Sequence, residues 1–166
     1  MSEERRIVEL RAGDVDLVEG LWKEMVAHHT EVAGDVFPAR DPDEAWRLRR
    51  AQYVAWLESD EGELFLVPGE GAEQAPLGYA CLRVVGPPST WDLGEPVGDL
   101  ESLCVSSAAR GMGIGTELIG QCRARAKKLG ARWWTVTAIA ANQRAIELYE
   151  REGFRPYSEN LIAPIE

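Results

Sequence analysis

The sequence lacks any long uninterrupted apolar run. Its first thirty residues are charged and amphipathic, and no stretch has the length of a signal peptide core or a membrane span. A cytoplasmic protein without a membrane partner is therefore expected. Cysteine is also scarce: Cys81, Cys104 and Cys122 are odd in number, lie in apolar segments and lack metal-ligand spacing. They are predicted to be buried free thiols, and no metal is expected.

The chain has fewer basic than acidic residues, and the difference is concentrated in residues 1–102. The net charge of −10 argues against nucleic acid as the main partner. Residues 1–102 carry 22 acidic and 9 basic residues, whereas residues 103–166 carry 6 and 9. The acidic part would suit a cationic partner. An acidic surface also serves solubility alone, so both interpretations stay open.

The length fits one domain. The chain has 166 residues, of which 45% are hydrophobic, enough to bury one core. No interdomain linker or repeat is found, so residues 1–166 are predicted to form a single domain.

Hydrophobic periodicity and turn residues predict the elements within residues 7–98 and 154–165. Residues 7–10 alternate as a strand, and Asp14 is predicted to cap a helix that ends near His28 and His29. Asp41 and Pro42 open a second helix. Further predicted elements are strands at 63–67 and 77–85 joined by a turn at 68–76, a linker at 86–98 that contains Trp91, and short final strands at 154–158 and 160–165.

The stretch 99–129 has the order strand, glycine loop, helix. Gly111, Gly113 and Gly115 allow positive φ and place no Cβ between the backbone amides and a ligand. A helix that starts there directs unpaired N–H groups and about +0.5 charge at the loop, which favours a pyrophosphate. Arg110 at the loop entrance adds further donors. Gly130 is expected to end this helix.

Two common phosphate-binding fingerprints do not fit these glycines. Thr116 stands where the dinucleotide fingerprint has a third glycine or alanine, and the next strand, 133–138, ends without an acidic residue. No lysine follows the glycines, as the nucleoside triphosphate loop requires.

The pattern Arg110-x-x-Gly113-x-Gly115 after an apolar strand resembles the acetyl-CoA pyrophosphate motif of the GNAT N-acetyltransferase superfamily. A second segment, from Asn142 through Ala145 and Tyr149 to Gly153-Phe154, is similar to that superfamily's Asn-x-x-Ala-x-x-x-Tyr-x-x-x-Gly-Phe segment. Asn142 is predicted to cap the helix of this segment and Gly153 to end it. The resemblance implies an α+β (mixed α/β) GNAT-like fold, a largely antiparallel mixed sheet flanked by helices in the order β-α-α-β-β-β-α-β-α-β-β. It also implies acetyl-CoA as co-substrate.

The resemblance assigns residues to the co-substrate. Strand 100–105 would hold the pantetheine arm through its backbone, splayed from a neighbour by a bulge, with one amide facing the thioester oxygen. The expected contacts are Leu103, Cys104, Val105, Arg110, Gly111, Met112, Gly113, Ile114, Gly115, Thr116 and Asn142. In the family the tyrosine at position 149 protonates the leaving thiolate; a half-buried packing role is the alternative.

Two acidic residues precede the glycine loop. Asp99 and Glu101 lie two apart on one strand face, and partial burial of neighbouring carboxyls raises their pKa toward the range of a base. Either is a candidate to deprotonate the acceptor amine, and the alternatives are acceptor binding, a structural hydrogen bond, or ordered water as base. Without a bulge they would point where Leu103 and Val105 point.

The predicted function is transfer of an acetyl group from acetyl-CoA to a primary amine of a small, cationic acceptor by direct attack in a ternary complex. A CoA-binding regulatory or degenerate module, and peptide N-terminal or O-acetyl transfer, are the alternatives. Neither the acceptor nor the oligomeric state follows from the sequence, and a homodimer is one option. Specificity is expected in residues 30–40 and 86–98, and the roles of His28, His29 and Trp91 stay open.

Overall fold

A five-stranded sheet with four α-helices makes up the computed structural model, which describes residues 5–36, 38–70 and 74–165. The predicted α+β class is confirmed. In chain order the elements are β1 (Val8–Leu10), α1 (Glu19–Ala33), α2 (Pro42–Glu58), β2 (Gly62–Val67), β3 (Gly78–Val85), β4 (Val97–Val105), α3 (Ile114–Lys128), β5 (Trp134–Val136) and α4 (Gln143–Arg151).

The strands lie side by side in chain order. β1 to β4 pair antiparallel, and β5 joins β4 in parallel, so the sheet is mixed. The parallel pair needs a crossover, which α3 supplies. The β2–β3 hairpin forms as predicted; residues 71–73 of its turn lie outside the described residues, as does residue 37 in the segment 30–40.

Helices cover both faces of the sheet. Trp22 of α1 with Trp46 and Tyr53 of α2 packs on one face, against residues that include Leu64 and Tyr79. α3 packs on the other, and its fully buried side chains include Leu118, Ile119 and Cys122. All three cysteines are buried free thiols, as predicted. Because both faces are covered, β2 and β3 are almost continuously apolar rather than alternating.

The expected bulge lies in β4. Cys81 of β3 pairs with Ser102 and Leu82 with Leu100, so Glu101 has no partner opposite it. Such an extra residue shifts the alternation of side chains on the strand that contains it. Accordingly, Leu100 and Leu103, three positions apart, both pack on the α3 face.

The amino-terminal region differs from the prediction. Asp14 does not cap an α-helix; residues Ala12–Val18 form a 3₁₀ segment, and the Asp14 carboxylate accepts from the Arg11 N–H at 3.0 Å. The following α1 continues to Ala33, so the helix ends later than predicted and His28 and His29 lie inside it. In contrast, Asp41 caps α2 as predicted, accepting from the N–H groups of residues 43 and 44 at 3.0 Å.

The carboxyl-terminal region also differs. The predicted strands at 154–158 and 160–165 do not form. The apolar side chains that suggested them are exposed, Leu161 by 92% and Ile165 fully. Pro156 and Pro164 lack the N–H that a sheet ladder needs. The alternation of apolar and polar residues therefore predicted strands here that do not form.

Candidate active site

A fork between β4 and β5 is the central feature of the candidate site. The two strands pair from Gly98–Trp134 to Leu100–Val136, where β5 ends, while β4 continues to Val105. On that side, residues 101–105 therefore have no neighbouring strand within the described part of the chain. The bulge lies on the β3 side of β4, whereas on the β5 side the pairing ends because β5 stops at Val136. Backbone groups along residues 103–105 are free on that side to pair with an extended ligand.

The side chains of these residues alternate between the two faces of the sheet. Leu103 and Val105 pack toward α3, whereas Cys104 is buried toward α1, where its Sγ donates to the Leu21 carbonyl oxygen at 3.2 Å. Burial raises the pKa of the Cys104 thiol to about 12. This cysteine therefore contributes backbone groups to the fork rather than a thiolate.

The glycine loop, residues 110–116, leads from the fork into α3. Gly111 and Gly113 have φ of 82° and 81°, and a Cβ added at Gly111 would meet no atom within 4 Å. Gly113 is the N-cap of α3, and no side chain caps the helix. Unpaired amides with open space before them fit an anionic group that needs close backbone approach.

Gly115 has a different role from the other two glycines. A Cβ at this position would lie 3.3 Å from Leu148 Cδ2 and 3.8 Å from Val105 Cγ2. The third glycine therefore lets α4 pack closely against the start of α3. Ile114 anchors this turn in the core with 1% exposure, whereas Met112 and Thr116 are exposed.

Arg110 is exposed at the loop entrance. Its Nη2 lies 3.9 Å from Glu24 Oε1, too far for a hydrogen bond, while that carboxylate accepts from the Ser107 N–H at 2.7 Å. The guanidinium therefore keeps donors available beside the glycine loop.

Both ends of α4 form as the sequence predicts. Asn142, 8% exposed, caps the helix by accepting from the Ala145 N–H at 3.3 Å. At the other end Gly153 has φ of 94°, and the N–H groups of Gly153 and Phe154 donate back to the carbonyl oxygens of Glu150 and Tyr149, each at 3.0 Å. This is a Schellman motif, and it fixes Tyr149 one turn from the helix end.

Tyr149 is half-buried beside the fork. It packs on the cluster that contains Leu103 and Val105, and its ring meets the edge of Phe154 at a centroid distance of 5.8 Å. Burial, with a smaller contribution from Cys104, raises the pKa of Tyr149 to about 12. The phenol therefore holds its proton at neutral pH.

The bulge places both candidate bases on the face opposite Leu103 and Val105. Asp99 lies opposite Arg83 of β3, whose guanidinium carbon stacks 4.1 Å from the Trp56 ring of α2. Glu101 contacts Arg49, also of α2. Both carboxylates therefore face α2.

The two carboxylates have different surroundings. Asp99 accepts from Thr135 Oγ1 at 3.2 Å, and burial, reinforced by Glu101, raises its pKa despite that hydrogen bond and Arg83. Glu101 is bound on both oxygens, by Arg49 on one and by Ser102 on the other. Asp99 is therefore the carboxyl better suited to accept a proton.

The remaining sequence candidates lie apart from this pair. Burial beside His28 lowers the pKa of His29 within α1, and Trp91 is 59% exposed in the linker before β4. Among residues 5–36, 38–70 and 74–165, no group of three or more His, Cys, Asp or Glu side chains is arranged to hold a metal ion. Of the helices in those ranges, none has the length and hydropathy of a bilayer span.

The chain resembles known proteins in sequence and in fold. The sequence model of the acetyltransferase (GNAT) family matches residues 22–154. The chain belongs to this family. No curated protein sequence matches it.

Solved structures share the GNAT fold at low sequence identity. A mutant of the BH1408 protein from Bacillus halodurans has a TM-score of 0.79 and 20% identity, over 97% of this chain and 99% of that chain. A GCN5-related N-acetyltransferase from Ralstonia eutropha has a TM-score of 0.72 and 22% identity, over 96% and 97%. The aminoglycoside N-acetyltransferase AAC(6′)-Iy in complex with CoA has a TM-score of 0.69 and 16% identity, over 97% and 99%.

Several site residues were not found from the sequence. No sequence pattern assigns a catalytic or binding role to Arg49, Tyr53, Ser102 or Thr135. Arg49 meets Glu101, Tyr53 meets Ser102 and Thr135 meets Asp99 across 36 to 52 residues, and Ser102 donates to the adjacent Glu101 at the bulge. The sequence signal for these contacts is limited to opposite charges, with Arg49 in the second helix and Asp99 and Glu101 on one strand.

Proposed function

We propose that this GNAT protein transfers the acetyl group of acetyl-CoA to a primary amine of a small, cationic acceptor by direct attack in a ternary complex. The observation that supports this best is the fork itself. β4 has no β5 partner beyond Leu100 and leads toward the uncapped start of α3, and Asp99 lies in the last pairs before the two strands separate. We assign Asp99 as the proton acceptor, Tyr149 as the proton donor and the glycine loop as the anion cradle of this cleft.

The glycine loop fits the pyrophosphate of CoA. The amides after Gly111 and Gly113 have no side-chain cap, and Arg110 stands beside them with unused donors. The pantetheine arm would pair with the backbone of residues 103–105 as an added strand does. Acetyl-CoA, when bound, supplies an acetyl thioester at the fork.

A backbone amide near Leu103 would donate to the oxygen that gains charge during transfer. Loss of one such donor typically costs about 2.7–4 kcal/mol, so a free strand edge is a useful catalytic feature. The bulge at Glu101 supports this role because it interrupts the regular pairing next to these amides.

The proton transfers are assigned to two side chains. Asp99 removes a proton from the acceptor ammonium. The free amine then forms the new N–C bond as the C–S bond breaks, and the nitrogen releases its second proton to solvent. Tyr149 donates its proton to the departing sulfur, and solvent reprotonates Tyr149. The raised pKa of each group supports its assignment, since Asp99 gains proton affinity and Tyr149 remains protonated.

A small cationic amine is proposed because of the charges near the bulge and in the first part of the chain. Residues 1–102 are strongly acidic, and two carboxylates share the face of β4 that turns toward α2. The shared fold of AAC(6′)-Iy, an aminoglycoside N-acetyltransferase, supports a small-molecule acceptor.

Thiol release from acetyl-CoA tests the proposal. Primary amines, polyamines, aminoglycosides and peptides would be compared, with acetyl-CoA hydrolysis in the absence of amine as the control. We expect release to match acetylated amine one for one, with cationic small molecules preferred. Calorimetric binding of acetyl-CoA without release for any amine would replace this proposal with a binding module.

A further inference from the structure

We propose that Tyr53 is a positioning residue that holds the Glu101 carboxylate as a fixed anion with one donor on each oxygen, which binds the acceptor cation rather than accepting its proton. This inference rests on the proposed function. It assigns different tasks to the two carboxylates at the bulge: Asp99 accepts the proton, and Glu101 orients the acceptor. It also gives a role to a buried hydroxyl group that catalysis does not otherwise use.

Three buried hydroxyls lead to Glu101. Tyr79 Oη lies 3.2 Å from Tyr53 Oη, which lies 2.8 Å from Ser102 Oγ, and Ser102 donates to Glu101 Oε2. Both tyrosines are fully buried, and Ser102 is 6% exposed. The three groups form one continuous chain, named here the hydroxyl chain.

The carboxylate sets the direction of every bond in the hydroxyl chain. Each hydroxyl has one proton, and an ionised carboxylate has none. Because Ser102 uses its proton on Glu101, Tyr53 must donate to Ser102. Tyr79 must then donate to Tyr53.

The hydroxyl chain does not lead to solvent. Its far end is the fully buried Tyr79, and burial raises the pKa of Tyr53 and Tyr79 far above that of an exposed tyrosine. Both phenols therefore stay protonated, and protons cannot leave through them. The chain is suited to orienting a carboxylate and unsuited to conducting protons from it.

Tyr53 also supports the second donor to Glu101. The guanidinium of Arg49 binds Glu101 Oε1 and lies over the Tyr53 ring, with its carbon 5.5 Å from the ring centroid. Trp56 adds a second ring at 5.7 Å. One tyrosine thus serves both carboxylate oxygens, through its hydroxyl on one and its ring on the other.

These contacts limit what Glu101 can do. With a donor on each oxygen, accepting a proton would require breaking a bond to Arg49 or reversing the hydroxyl chain. The remaining lone pairs can still accept from an ammonium group, since a carboxylate has about four acceptor sites. Glu101 is therefore suited to binding a cation, whereas Asp99 accepts one side-chain hydrogen bond within the described part of the chain, from Thr135.

Kinetics of Tyr53→Phe and Ser102→Ala would test this role, with the exposed Tyr157→Phe as the matched control. We expect the acceptor KM to rise about tenfold in both variants, while the acetyl-CoA KM stays unchanged. Tyr79→Phe removes only the last donor and is expected to raise the acceptor KM less than about threefold. An unchanged acceptor KM in folded Tyr53→Phe and Ser102→Ala would overturn the proposal.

A second measurement does not require turnover. Carbon-13 NMR at one neutral pH would compare the chemical shift of the Glu101 carboxyl carbon between variants. We expect this signal to move in Tyr53→Phe and Ser102→Ala, where a hydrogen bond of the hydroxyl chain is lost, and to stay in place in Tyr157→Phe. An unmoved signal in both variants would overturn the positioning role, whereas absence of acetyl transfer with a moved signal would reject only the proposed function.

Discussion

Asp99 and Thr135 lie directly opposite each other on β4 and β5, with Thr135 Oγ1 donating to Asp99 Oδ1 across 3.2 Å. Only one more pair, Leu100 and Val136, follows before the strands separate. The hydrogen bond therefore fixes the carboxyl at the point where the cleft opens. Burial raises the pKa of Asp99 there. This carboxyl therefore lies where the strands separate and also binds a proton more tightly than an exposed carboxyl does.

Asp99→Asn should lower kcat/KM by roughly 10²–10⁴-fold, the usual contribution of a positioned general base. The amide keeps the size of the carboxyl but cannot accept the proton. In the unmodified protein, activity should fall as pH drops through the raised pKa of Asp99. pH–rate profiles of both proteins check this, and a variant that retains the full rate and the same acid limb would assign the base role to water.

The same substitution should stabilise the fold at neutral pH. The folded state binds the Asp99 proton more tightly than the unfolded state, so stability is lost as pH rises from about 3.8 through the higher folded-state pKa. Because an asparagine side chain does not ionise, the variant does not lose stability over this pH range. Thermal unfolding at several pH values should show Tm higher in the variant above that range, by about 2–4 °C per kcal/mol, and no gain below it.

Tyr149→Phe should reduce kcat by roughly 10²–10⁴-fold with little change in acetyl-CoA affinity. The ring and its contact with Phe154 remain, so the variant isolates the hydroxyl. Because the pKa of Tyr149 is raised to about 12, its ionisation should add no basic limb to the rate profile at lower pH. A kcat near that of the unmodified protein at every pH would leave Tyr149 as a wall of the thioester pocket.

Gly113→Asp should weaken acetyl-CoA binding by placing negative charge at the N-cap of α3. Gly113→Asn is the matched control, since it has the same size, tolerates positive φ and adds no charge. Calorimetry should show a much larger loss of affinity for Asp than for Asn. Equal affinity in folded Asp and unmodified protein would remove the pyrophosphate from this loop.

Gly153→Ala should destabilise the protein by about 1–2 kcal/mol, because a Cβ at φ of 94° is strained. Gly153→Asn should cost less, since asparagine tolerates this conformation better. Chemical denaturation measures both. Equal stability of the Ala variant would mean that the Schellman motif relaxes freely, and the activity assay would then show whether Tyr149 has moved.

The features predicted best from the sequence are those set by local chemistry. Gly113, Asn142 and Gly153 act where their own backbone requires them, as a helix start, a cap and a helix end. Such signals need only a few neighbouring residues. The glycine loop and both ends of α4 were therefore predicted correctly.

Long-range contacts explain most of what was missed. Arg49 is 52 residues from Glu101, and no local pattern indicates that they meet. The final strands failed for the opposite reason, since alternation at 154–165 suggested partners that the described chain does not provide. Gly115 matched the glycine motif, but its contact with Leu148 shows a packing role that spacing could not distinguish from ligand approach.

The unpaired position of Glu101 in β4 makes the length of this strand as important as its composition. Deleting one residue between 98 and 101 would restore regular pairing with β3 and could be accommodated by the sheet. The acidic side chain left next to Ser102 would then point into the apolar layer beneath α3. Variation among relatives should therefore permit many substitutions here but very few single-residue deletions or insertions.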